Sequence, residues 1–129
     1  MVLHLPYPPS ANRYLRHTAR GTYRTAEADR YRDVVRKIAF DSAESFECLS
    51  GPVSLYARLH PRLTAKGRAS KSCLDLDNCI KVVCDALQGV CYQNDRQLRC
   101  ICISMDEPKT GGGLTVECIE KDVFQWVSA

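Results

Sequence analysis

Apolar positions recur along this chain in short runs whose period changes from segment to segment, and each change marks an element. Val2 to Leu5 alternates as a short strand, and Pro6 to Asn12 follows as a rigid turn, since Pro8 and Pro9 cannot join a central ladder. Tyr14, Arg16, His17, Arg20, Tyr23 and Arg24 then interleave aromatic and basic groups across Gly21, as a hairpin or an arm would. From Thr25 to about Phe46 the period is helical, with Tyr31, Val34, Val35, Ile38 and Ser42 on one face. Thr25 is its cap, and Glu27 and Asp29 stand in the first turn, where carboxylates are favoured. After the break at Gly51-Pro52, Val53 to Leu59 alternates as a half-buried strand. A second helix follows Asp77, with Ile80, Val83, Cys84 and Leu87 as its apolar stripe and Gly89 as its stop. Gln97 to Met105 is apolar on both faces, which predicts a central strand, and Leu114 to Ile119 predicts another beyond the loose turn Asp106 to Gly113. Phe124 to Val127 is an apolar tail. Without repeats or a linker, residues 1–129 predict one α+β domain, two main helices packed on a mixed, mostly antiparallel sheet.

The chemistry gathers where a strand-like segment meets the second helix. In Leu74-Asp75-Leu76-Asp77-Asn78-Cys79-Ile80-Lys81, an extended backbone points Asp75 and Asp77 the same way. Asp77 can cap the helix, on which Asp77, Lys81 and Asp85 fall four apart and share a face. Asn94-Asp95, in a turn after Val90-Cys91-Tyr92, can return a third carboxylate. Oxygen-only ligands suit a hard cation such as Mg²⁺ or Mn²⁺. The same residues also fit a capped, solvated helix start with an ordinary lysine–aspartate pair.

A net charge of +3 conceals a strong asymmetry. Residues 13–37 hold eight Arg or Lys against three acids, residues 58–71 hold five against none, and the rest holds five against twelve. His60 to Ser72, with Arg62, Lys66, Arg68 and Lys71 and no apolar period, reads as a mobile basic loop leading into the acidic segment. A basic surface around an acidic pocket suits phosphodiester chemistry, and equally suits a solvated surface on a mildly basic protein. The eight cysteines include no C-x-x-C pair, and no signal peptide or membrane span is apparent, so the expectation is reduced, mostly buried thiols in a cytoplasmic protein. Cys100 and Cys102 would share one face of a strand as a core pattern.

Two blocks resemble the RusA family of Holliday junction resolvases, small endodeoxyribonucleases often carried by prophages. The first is Pro8-Pro9-Ser10-Ala11-Asn12-Arg13-Tyr14. The second is Asp75-Leu76-Asp77-Asn78-x-x-Lys81, Asp85-Ala86-Leu87 and Asn94-Asp95-x-Gln97. Order and spacing agree over nearly the whole chain. The resemblance implies that Asp75, Asp77 and Asp95 bind one or two Mg²⁺ ions, with Mn²⁺ a possible substitute, and that Lys81 is the catalytic lysine. It further implies a homodimer that cuts branched DNA, most of all four-way junctions, by paired nicks. Asn12, Arg13, Arg16, Arg20, Arg24, Arg62, Lys66, Arg68 and Lys71 are then the expected DNA contacts. The N-terminal strand and the tail at Phe124 and Trp126 are the candidate dimer surfaces. Two departures stand out: Asn94, where some relatives have a second Asp, and Ser72-Cys73-Leu74, where some have a basic residue. Asn94 would favour a rival reading, a junction-binding protein without catalysis; a nuclease for flaps or other branched forms is the other.

Overall fold

The computed structural model describes residues 2–42 and 48–121. In chain order its elements are β1 (Val2–Leu5), α1 (Ala11–Tyr14), β2 (Leu15–Thr18), β3 (Gly21–Arg24), α2 (Ala26–Phe40), β4 (Val53–His60), α3 (Leu76–Leu87), a 3-10 turn (Asp95–Gln97), β5 (Leu98–Met105) and β6 (Gly113–Glu120). Four strands form a sheet in the order β1-β6-β4-β5, while β2 and β3 pair as a separate hairpin. β6 runs antiparallel to both β1 and β4, and β5 runs parallel to β4. The fold is therefore α+β with a mixed, mostly antiparallel sheet. A parallel pair needs a long crossover. Here α3 is that crossover, which sets the start of the helix near the carboxyl end of β4.

The register Leu55↔Cys118, Ala57↔Val116 and Leu59↔Leu114 lines up one face of the sheet for burial. Tyr31 and Val35 of α2 and Val82, Val83 and Leu87 of α3 join the same core. Burying a side chain of this size contributes about 1.5–3 kcal/mol, so the two helices are held mainly by this face.

Several expectations change. β5, predicted central, is the edge strand, and β4 and β6 are the inner ones. Cys102 on β5 is accordingly exposed and Cys100 half-buried, so their spacing is not a core pattern. Of the eight free thiols, Cys79, Cys91 and Cys118 are buried, fewer than expected. β4 alternates as expected in its middle: Val53, Leu55, Ala57 and Leu59 are buried, while Tyr56 is half-buried and Arg58 exposed on the other face, which is closed only at its ends by Ser54 and His60. His60 ends this strand, with Nδ1 on the Glu107 carbonyl at 2.9 Å and Nε2 on Thr115 Oγ1 at 2.9 Å. The segment after it is built rather than irregular. Leu63 bridges Ala69, Gly67 N–H donates to the Thr64 carbonyl at 2.9 Å, and Leu63 N–H donates to the Lys109 carbonyl at 3.0 Å. The turn after β1 contains a one-turn helix, with Ser10 accepting from Arg13 N–H at 3.3 Å. Thr25 caps α2 as expected, accepting from Ala28 N–H at 3.2 Å. α2 ends at Phe40, and both its expected extension over 43–47 and the Phe124–Trp126 tail lie outside the described residues.

Candidate active site

α3 begins earlier than the sequence suggests. Asp75 is its N-cap residue, with extended backbone (φ −69°, ψ 146°), and Asp77 lies inside the first turn. Asp77 is therefore not the cap. Asp75 makes no side-chain capping bond either, so both carboxylates stand at the positive end of the helix with their oxygens unused. The buried stripe is Cys79, Val82, Val83, Ala86 and Leu87, rotated from the expected set; Ile80 and Cys84 are only half-buried. This rotation turns Asp77 and Lys81, one turn apart, to solvent.

The approach to Asp75 is fixed by a residue far back in the chain. Tyr7 Oη accepts the Leu74 N–H at 2.7 Å and donates to Cys73 Sγ at 3.5 Å. Arg62 lies over the Tyr7 ring, 4.2 Å from its centroid. Gly112, at φ +74°, backs this pair: a Cβ there would fall 2.7 Å from Tyr7 Cδ2, so a larger residue would displace the ring.

Asp85 belongs to a different cluster from the one its spacing implied. It accepts from Tyr14 Oη, from Arg24 Nη1 at 3.0 Å and from Arg32 Nη1 at 2.9 Å, and its backbone carbonyl takes a further Arg32 bond at 2.7 Å. These contacts tie α3 to α1, to the β2–β3 hairpin and to α2. Burial pushes the Asp85 carboxyl up, but the Tyr14 and Arg32 hydrogen bonds and the Arg24 charge outweigh it and hold the group below its ordinary value. Tyr7 and Arg32 were not singled out by sequence reasoning, and Tyr14 was read as part of an aromatic and basic arm rather than as a partner of Asp85. Tyr14 carried a signal, because a buried tyrosine hydroxyl needs a partner.

Asp95 opens the 3-10 turn, and the Asn94-Asp95-x-Gln97 pattern explains how it is held. Asn94 Oδ1 accepts from Arg96 N–H at 2.9 Å, while Gln97 Oε1 accepts from Asn94 N–H at 2.9 Å. Gln97 Nε2 then donates to the carbonyls of Leu49 at 2.8 Å and Gly51 at 3.0 Å. Asn94 thus has a capping role that needs no second carboxylate at the site. Burial, with Asp95 and Asp85 adding their charge, pushes the Cys84 thiol up to about 11.

Among the described residues, the side chains of Asp75, Asp77, Lys81 and Asp95 have no hydrogen-bond or ion-pair partner. Three unpartnered, exposed carboxylates are the right donor type for a hard divalent cation, which keeps several waters and takes only one or two carboxylates. Their placement is looser than a three-carboxylate cage. No three His, Cys, Asp or Glu side chains among the described residues converge on one cation position.

Several of the expected DNA contacts are open to solvent. Arg16, Arg20, Lys66, Arg68 and Lys71 are exposed, as is Asn12. Two of the expected DNA contacts are already engaged: Arg13 pairs with Glu27 at 3.2 Å, and Arg24 with Asp85. No described helix is long and apolar enough to cross a membrane.

Comparison with known proteins bears on the family. The family profile described as Endodeoxyribonuclease RusA matches residues 6–118. A protein of Escherichia coli O139:H28 named Crossover junction endodeoxyribonuclease RusA is 33% identical over 109 residues, 84% of each chain. Proteins of the same name from Shigella sonnei and Enterobacteria phage 82 are 36% and 37% identical over 83 residues, spanning 64% of this chain and 62% of theirs.

Proposed function

This chain belongs to the RusA family of endodeoxyribonucleases, a phosphodiester-hydrolysing nuclease of Holliday junctions, and from that premise we propose that Asp75, Asp77, Asp95 and Lys81 perform the chemistry with Mg²⁺. The observation that supports the assignment is the unpartnered state of Asp75, Asp77 and Lys81 on successive turns of α3, beside an Asp85 that is fully engaged. The carboxylates bind the cation, which when bound supplies Lewis acidity toward the scissile phosphate. Lys81 places a fixed positive charge where negative charge develops on the phosphorus oxygens. Water displacing the 3′ oxygen leaves a 5′-phosphate and a 3′-hydroxyl, ends that can be ligated. Incubation with Mg²⁺ and matched four-way, flap and linear duplexes tests the reading, since cutting confined to linear or flap DNA would reject it.

Lys81→Ala is expected to lower single-turnover cleavage roughly 10²–10³-fold with little change in binding. A fall in affinity at an unchanged rate would move Lys81 to docking. Affinity itself should rest on the unpaired basic groups. Replacing Lys66, Arg68 and Lys71 by alanine should flatten the dependence of log affinity on log salt by about two to three, near 0.9 per phosphate contact. An unchanged slope would show that the segment after β4 never meets DNA.

The working unit we propose is a symmetric homodimer. Resolving a junction takes two nicks in opposed strands, and one chain holds one carboxylate set. The N-terminal strand, an edge of the sheet through β1, is the candidate surface within the described residues. Mixing wild-type with Asp77→Asn chains under subunit exchange should change the ratio of single to paired nicks. A monomer sedimenting on junctions that are cut in both strands would refute the dimer.

A further inference from the structure

A cleft of about 390 Å³ opens beside the residue that precedes Asp75, and the proposed chemistry leaves it unassigned. Its walls come from the Pro8-Pro9 turn, the first turns of α2 and the ordered segment after β4, and Leu74 lines its inner end. Three guanidinium groups, Arg13, Arg30 and Arg62, face one carboxylate, Glu27. Glu27 is taken by Arg13 at 3.2 Å. Arg62 is held against the Tyr7 ring at 4.2 Å, so its planar fork is presented from a fixed support, and it forms no ion pair among the described residues. Arg30, exposed on α2, has no hydrogen-bond or ion-pair partner among the described residues. The cleft therefore carries two uncompensated cations over apolar surface from Pro8, Pro9 and Val34.

Resting on the nuclease reading above, we propose that this cleft holds the sugar and phosphodiester of a nucleotide adjoining the scissile phosphate, with Arg30 and Arg62 as the ligands of that flanking phosphate. Guanidinium forks match phosphate oxygens two at a time, and the proline walls offer apolar surface to a deoxyribose. The volume exceeds what a lone phosphate needs and suits a nucleotide. The location follows from the chain itself: Leu74 lines the cleft, its N–H is fixed by Tyr7 at 2.7 Å, and the next residue is Asp75. Phosphate held here sets which phosphodiester meets the carboxylates. Arg30 is thus a binding residue assigned on its place in the cleft, since α2 otherwise presents it to solvent.

The test couples a protein change to a DNA change. Four-way junctions carrying a single neutral methylphosphonate, stepped along the cut strand, are compared on wild-type protein and on Arg30→Ala, which leaves the Tyr7 contact untouched. Arg30→Ala should weaken binding to the all-phosphate junction about tenfold, the size of one charge-assisted contact. A methylphosphonate at one position next to the cut should cost the wild type more than the loss of Arg30 does, because Arg62 loses the same charge, and should cost Arg30→Ala a smaller factor, through Arg62 alone. Losses that multiply at every position, or an Arg30→Ala protein that binds like wild type, would overturn the proposal. Binding is read without divalent cation and cleavage with it. A wild-type chain that binds junctions but never cuts them would overturn the nuclease reading, while the binding arm still decides the cleft.

Discussion

Asp75→Asn and Asp77→Asn are each expected to lower junction cleavage by on the order of 10³-fold or more while leaving affinity unchanged or raised. The size follows from the several kcal/mol that metal Lewis acidity supplies to a phosphoryl reaction. The direction of the affinity change follows from charge, since each carboxylate is exposed, unpartnered and turned toward a polyanion. Neither substitution removes an internal bond of the fold, so urea unfolding should be close to wild type. Gel-shift and single-turnover assays on one junction separate the effects. Parallel loss of binding, cleavage and stability would make the two aspartates structural. Asp95→Asn should behave the same way, with its turn still held by Asn94 and Gln97.

Asp85→Ala should do the reverse, and cost stability. The substitution leaves Arg32, whose side chain is 11% exposed, with the backbone carbonyl of residue 85 but no charge partner, and leaves the buried Tyr14 hydroxyl without its acceptor. Removing one partner of a buried pair costs about 3–5 kcal/mol, and the lower end applies because Asp85 itself is 29% exposed. The effect depends on pH with a defined sign. The folded protein holds this carboxyl below its ordinary value of 3.8, so its contribution is full above that value and fades as pH falls through the lower folded one. Urea titrations should thus show a large gap between wild type and variant at neutral pH and a smaller one near pH 3. A gap independent of pH would mean that packing, not charge, is what Asp85 contributes.

Most of the fold was legible because local patterns agreed with the global arrangement. Thr25 and Gly89 punctuate the helices where their chemistry demands, with Thr25 as the N-cap of α2 and Gly89 at φ +83° after α3. The errors have physical causes. β5 is apolar on both faces, as an inner strand would be, yet sheet order depends on pairings between distant segments that no local period records. The start of α3 was misplaced because an aspartate at either of two positions can cap. The contact that holds the residue before that start comes from Tyr7, 67 residues from Leu74, and leaves no local signal. For the site, residue types and spacing pointed to Asp75, Asp77 and Lys81 together. They also drew in Asp85, since spacing of four shows which residues share a face but not which partners wait opposite. Arg32 was hidden for the same reason: one position off an apolar stripe, it looks like any solvated arginine.

The sheet order has a consequence for how the protein is made. β6, the last described strand to leave the ribosome, belongs in the middle of the sheet, between β1 and β4. β1 therefore has no neighbouring strand until nearly the whole described chain exists. Tyr14 waits 71 residues for Asp85 alone, roughly 4–14 s at ordinary translation speed. A nascent chain that stops before Gly113 already contains both partners of the Tyr7–Leu74 and Tyr14–Asp85 contacts, but not the strand that joins β1 to β4. Closure of the sheet thus comes last, after β6 is made.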